Sequence, residues 1–132
     1  TDEVDYRVFA PTYLHCGHPR PVVNGPAPGT AWPWPLGSSQ EVTYQSLPPG
    51  TSIASVVLAR AGSVTHHCDP NQRVASLSFT HVLPVEGGPP VVPPRVTVTV
   101  PSSSNLLPQG YYMLFLVTNL GTPSEAAWVQ IQ

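Results

Sequence analysis

The sequence predicts an all-β fold: an antiparallel β-sandwich of about seven strands, built as a single domain over residues 1–132. Three observations carry this expectation. Eighteen prolines and ten glycines are spread along the whole chain, and helix interiors tolerate neither well. Between them lie short runs of strand character, mostly alternating apolar with polar residues and spaced roughly 8–16 residues apart. No run between them repeats with the period of an amphipathic helix.

The elements follow in order. Residues 4–10, "VDYRVFA", alternate and stop at Pro11. Residues 19–39, "PRPVVNGPAPGTAWPWPLGSS", are the exception. Their prolines forbid a central strand, so they read as a short extended piece at 21–23 and a surface excursion at about 24–39. Trp32 and Trp34 in that excursion have two readings. Alternating Trp and Pro can form a rigid aromatic ledge for carbohydrate, such as a cell-wall glycan, or for a proline-rich partner. The plainer reading is that both indoles cap the open edge of the sandwich, because a loop this long needs an apolar anchor. Strands are then expected at 41–45 ("EVTYQ"), 53–61 ("IASVVLARA"), 74–83 ("VASLSFTHVL"), 95–100 ("RVTVTV"), 111–120 ("YYMLFLVTNL") and 126–132 ("AAWVQIQ"). The second of these is mostly apolar, as a strand buried on one face and partly covered on the other would be.

Composition excludes some functions. Charged residues are only 9% of the chain, and the formal net charge is −2. All five basic residues are arginines, with no basic stripe, so neither nucleic acid nor an anionic membrane surface is an expected partner. No apolar run approaches the ~20 residues of a membrane span, and nothing resembles a signal peptide. The opening "TDEVDYRVFAP" reads as the start of a mature product or of a piece of something longer. Asp2, Glu3 and Asp5 there read as a solvated end. The two cysteines, Cys16 and Cys68, suit one bridge in a secreted protein and two thiols in a cytosolic one. A bridge closing a loop of roughly fifty residues would contribute ~4 kcal/mol in the chain-entropy model.

One segment concentrates ligand-like side chains. "SVTHHCDPNQR", residues 63–73, places two histidines, a cysteine and an aspartate between two expected strands. Taken alone, the histidine pair reads as solvated. Asp69 before Pro70 reads as a turn former whose carboxylate accepts a nearby backbone N–H. No Ser/His/Asp arrangement, phosphate loop or carboxylate pair stands out elsewhere.

Several phrases together resemble a known family. They are "RVFAPTYL", "RPVV", "SVTHHCDPNQRVASLSF" and "PSSSNLLPQGYYMLFLVTNLGTPSEAAWVQI", in that order. The specific pieces are Thr65-His66 followed by Gln72-Arg73, then Pro108-x-Gly110-Tyr111-Tyr112-Met113-Leu114-Phe115, then Gly121-x-Pro123-Ser124. These resemble the C-terminal domain of galactose oxidase and glyoxal oxidase, the copper radical oxidases. The likeness runs over nearly the whole chain, with the Trp/Pro excursion and "PVEGGPPVVPP" as local expansions.

The resemblance implies an immunoglobulin-like (early set) sandwich that follows a seven-bladed propeller in a secreted or extracellular enzyme. There the propeller supplies a tyrosine crosslinked to a cysteine, a second tyrosine and a histidine. The sandwich lends one histidine on a long loop to complete the copper site. Such enzymes oxidise a primary alcohol or an aldehyde and reduce dioxygen to hydrogen peroxide. Only His66 falls at a ligand position of the family, so it is the expected copper ligand. His67, Gln72 and Arg73 are its expected supports, with Arg73 pairing a carboxylate or loop carbonyls. Tyr111 and Tyr112 are packing residues. The isolated chain, without a propeller, is expected to be inactive.

The cysteines in "HCGH" and "HHC" depart from the family pattern. The resemblance to secreted proteins favours a Cys16–Cys68 disulfide. The rivals are free thiols and a zinc or copper site from Cys16, His18, His66 and Cys68, whose spacing fits no common zinc pattern. The alternative function is a non-catalytic sandwich module of an extracellular, cell-wall or surface glycoprotein.

Overall fold

The computed structural model describes residues 7–82, 87–90 and 93–132. It is all-β apart from a short 3-10 turn at Thr12–Leu14. Seven strands are present: β1 (Trp32–Trp34), β2 (Ser39–Thr43), β3 (Ile53–Arg60), β4 (Val74–His81), β5 (Arg95–Thr99), β6 (Gly110–Thr118) and β7 (Ala127–Ile131). They form one hydrogen-bonded ladder in the order β1-β7-β6-β3-β4-β5-β2.

The ladder becomes a sandwich at β4. Val74 to Leu77 pair with β3, whereas Ser78 to His81 pair with β5, so one strand serves two sheets and turns the corner. Alternation then sends one face of each half inward. Val42 of β2 and Val96 and Val98 of β5 meet Val56 and Leu58 of β3, Tyr112, Leu114 and Leu116 of β6, and Val129 and Ile131 of β7 in one buried cluster. Along β3 the inward parity changes after Ile53, because the register with β6 shifts between Ile53 and Ser55. The extra residue of that bulge lets Ile53, Val56 and Leu58 all point inward.

The strand count matches the expectation, but its membership does not. Of the expected strand at 4–10, residues 4–6 lie outside the described residues, and 7–10 are unpaired. Leu83, the expected end of β4, and parts of "PVEGGPPVVPP" also lie outside them. In exchange, "WPW" inside the expected surface excursion is a strand. It pairs parallel with β7, the one parallel junction in an otherwise antiparallel ladder. The prolines are compatible because β1 is an edge strand. The Trp34 carbonyl accepts from the Gln132 N–H at 3.1 Å, and the Leu36 N–H donates to the Gln132 carbonyl at 3.0 Å. The even positions thus carry the ladder, and Pro33 and Pro35 fall where no donor is required.

Two of the motifs prove to be structural. The Tyr112 hydroxyl, in a fully buried side chain, donates to the Pro108 carbonyl at 2.7 Å, a corner that ties the strand to its preceding loop. Gly110 has φ 142°, and a Cβ there would lie 3.2 Å from the Arg60 guanidinium, which packs over the Tyr112 ring. At the other motif, Gly121 turns the chain with φ 79°. The buried Ser124 then takes the Leu116 N–H on its hydroxyl at 3.0 Å.

Candidate metal-ligand loop

The segment between β3 and β4 is fastened at three levels. At its root the Arg60 N–H donates to the Arg73 carbonyl at 2.8 Å. In the middle, Asp69 Oδ1 accepts the N–H groups of Ser63 (3.1 Å) and Asn71 (2.9 Å), and the Asn71 amide donates to the Ser63 hydroxyl at 2.7 Å. Gly62 lets the carboxylate come close, since a Cβ there would lie 2.7 Å from Asp69 Oδ2. At the tip Thr65 and Cys68 exchange both backbone bonds, at 2.8 and 2.9 Å. The turn former expected at Asp69 is therefore the central clamp of the loop.

His66 and His67 are the two residues of that tip turn. Their φ values are 53° and 63°, the left-handed pair that a type I′ hairpin turn demands and that Asn-Gly normally supplies. Two side-chain-bearing residues hold this conformation at a cost of about 1–2 kcal/mol each. Both imidazoles are exposed at the end of the projection. The Nδ1 of His66 lies 2.8 Å from the Thr65 hydroxyl, which leaves its Nε2 facing outward from that contact.

The expected supports separate. Arg73 reaches carbonyls rather than a carboxylate: its Nη1 donates to Asn105 and Leu106, each at 3.0 Å. That second loop is pinned in the core by the fully buried Leu107, so Arg73 ties the projecting loop to the body of the sandwich. His67 and Gln72 are exposed, and among the described residues neither has a side-chain hydrogen bond. Three exposed apolar side chains lie along this segment and the loop it is tied to: Val64 before the tip, Val74 at the root and Leu106 on the loop that Arg73 binds, at 77%, 72% and 65% exposed.

The disulfide expectation and the binding-ledge reading of the tryptophans need correction. Cys16 and Cys68 are both free, exposed thiols. Cys16 is held in its own 3-10 turn, with Sγ donating to the Thr12 carbonyl at 3.2 Å, so no disulfide joins it to the loop tip. Among the described residues no three His, Cys, Asp or Glu side chains gather as a metal site, so the four-ligand arrangement of Cys16, His18, His66 and Cys68 is not assembled. Trp34 is 2% exposed and belongs to the core, stacked with the half-buried Trp32 at 6.3 Å. The indoles anchor the edge strand. Exposed aromatic rings among the described residues include Phe9 and Tyr13 near the start and, on the sheet, Trp128 and Tyr111, the latter expected to pack; these two line a shallow concavity with Gln130 and Thr30. Alternation along β6 and β7 was the signal that could have found them.

A family model for the galactose oxidase-like early set domain matches residues 20–131. The chain belongs to that family. Curated relatives agree. It is 31% identical over 136 residues to the aldehyde oxidase GLOX of Vitis pseudoreticulata, across 98% of this chain and 23% of that protein. It is 27% identical over 134 residues to galactose oxidase of Gibberella zeae, across 99% of this chain and 17% of that one. The chain thus spans less than a quarter of the length of these relatives. A fungal alcohol oxidase of the AA5 family, solved in complex with copper, superposes with a TM-score of 0.65 at 23% identity, over 86% of this chain and 21% of that chain. That likeness establishes the fold.

Proposed function

We propose that this chain is the C-terminal sandwich of an extracellular copper radical oxidase, in which His66 supplies one copper ligand to a site whose other donors belong to a seven-bladed propeller. The observation that carries the reading is the contrast between motifs. The residues of Pro108–Tyr112 and Gly121–Ser124 serve turns, a buried hydroxyl and packing. His66 neither packs nor fills a buried position, and the turn it occupies favours Asn-Gly over a bulky side chain: it is exposed, left-handed and at the tip of a loop fastened at every level below it. Neutral imidazole is a good copper donor, and a loop on a rigid scaffold can deliver one to a neighbouring body. The exposed apolar side chains of Val64, Val74 and Leu106 are candidates for contact with that body.

Copper held beside a redox-active tyrosine supplies two-electron oxidation of a primary alcohol or an aldehyde, with dioxygen leaving as hydrogen peroxide. This chain's share is positional. Arg73 and Asp69 hold the loop, and the tip turn sets the backbone from which the imidazole is presented. The remaining donors lie on another body, so the 132 residues alone are inactive.

The test is copper titration of the complete polypeptide carrying this chain, with His66→Ala and His67→Ala beside it. Peroxide production should fall more than about 100-fold in His66→Ala with weaker copper binding, and persist in His67→Ala. Unchanged copper binding and peroxide production in His66→Ala would overturn the ligand assignment, and a complete polypeptide that makes no peroxide at all would leave the non-catalytic extracellular module as the function.

A further inference from the structure

We infer that Thr65 is a positioning residue for His66: its hydroxyl accepts the Nδ1–H of the imidazole and so keeps Nε2 as the bare nitrogen that meets the metal. The inference rests on the copper reading above and adds the residue that selects the donor atom. Three features of the tip carry it. The Thr65 Oγ1 to His66 Nδ1 distance is 2.8 Å, within hydrogen-bond range. Thr65 cannot drift, because its N–H and carbonyl are both bonded to Cys68 and its β-branched side chain has few rotamers. The left-handed turn fixes the backbone of His66 at the same time, so ring and hydroxyl are held from both sides.

The consequence is chemical. An imidazole free in water favours the proton on Nε2, and that tautomer blocks the outward nitrogen. Which ring nitrogen carries the proton is set by the partner of the other. With Oγ1 as acceptor, the proton sits on Nδ1, the Nε2 lone pair faces away from the loop, and the hydroxyl's own hydrogen turns to solvent. Thr65 is exposed, so that hydrogen has water to bond. Valine has the same shape without the acceptor, and serine keeps the acceptor. Both leave the two backbone bonds to Cys68 intact, so both variants should fold.

The tautomer is read directly by nitrogen-15 NMR of histidine-labelled 132-residue chain. His66 should be mainly the Nδ1–H form, Thr65→Val should shift it towards Nε2–H, and Thr65→Ser should restore it. A wild-type His66 that is mainly Nε2–H, or a Thr65→Val spectrum identical to wild type, overturns the inference. A second arm uses the complete polypeptide: Thr65→Val should weaken copper binding roughly 10–100-fold and Thr65→Ser should recover it. If Thr65→Val binds copper as wild type does while His66→Ala loses it, the positioning role fails and the copper reading stands. If His66→Ala also binds normally, the copper reading is what has failed.

Discussion

His67 and His66 adopt a backbone conformation that their side chains oppose, and the two positions are not equivalent. The His66 ring has a hydrogen-bond partner in Thr65, whereas among the described residues the exposed His67 ring has none. Relieving the strain at His67 should therefore be favourable. Glycine removes the Cβ clash of the left-handed region, about 1–2 kcal/mol, and returns roughly 0.5–1 kcal/mol through the larger entropy of the unfolded chain. His67→Gly should stabilise the chain by about 0.5–1 kcal/mol and raise the melting temperature by roughly 2–4 °C in a thermal melt. A lower melting temperature would mean that the imidazole at 67 contributes more to the loop than its exposure indicates.

At the scale of elements, the edge strand is the clearest test of packing. Trp34 is buried and Trp32 only partly so. Trp34→Ala should cost about 3–5 kcal/mol by denaturant unfolding, and Trp32→Ala clearly less. Equal small losses would return both indoles to the surface. Tyr44, bridged to Val23 just beyond β2, gives the pH dependence. Burial raises its phenol above the ordinary 10.0, so the folded chain favours the neutral form. Its contribution is complete below that ordinary value and is lost as pH climbs towards the raised one. Tyr44→Phe should flatten the decline in stability between pH 9 and pH 11, measured by urea unfolding, and a decline as steep as wild type would assign it to other groups. The six strands from β2 to β7 were legible because their sequences either alternate, as "RVTVT" does, or form short apolar runs bounded by turn residues, as in β3 and β6. β1 was hidden because Pro is read as a strand breaker, and only its edge position, a tertiary fact, makes "WPW" acceptable. The corner in β4 was hidden for a similar reason: its alternation is continuous, and the change of partner at Leu77–Ser78 is visible only in the pairing.

For the whole molecule, one sandwich carries one fastened loop whose tip residues are exposed. The family was legible in motif spacing, and His66 was legible only through the family. Its left-handed turn was not, since "HH" lacks the Asn-Gly that signals such a turn. Nor were the free thiols, because two cysteines count as a pair in sequence whatever separates them in space. Pulsed EPR on the copper(II)-loaded complete polypeptide counts the imidazole nitrogens coupled to the metal. Wild type should show one more than His66→Ala. The same count in both would contradict the assignment of His66 as a ligand offered by this loop.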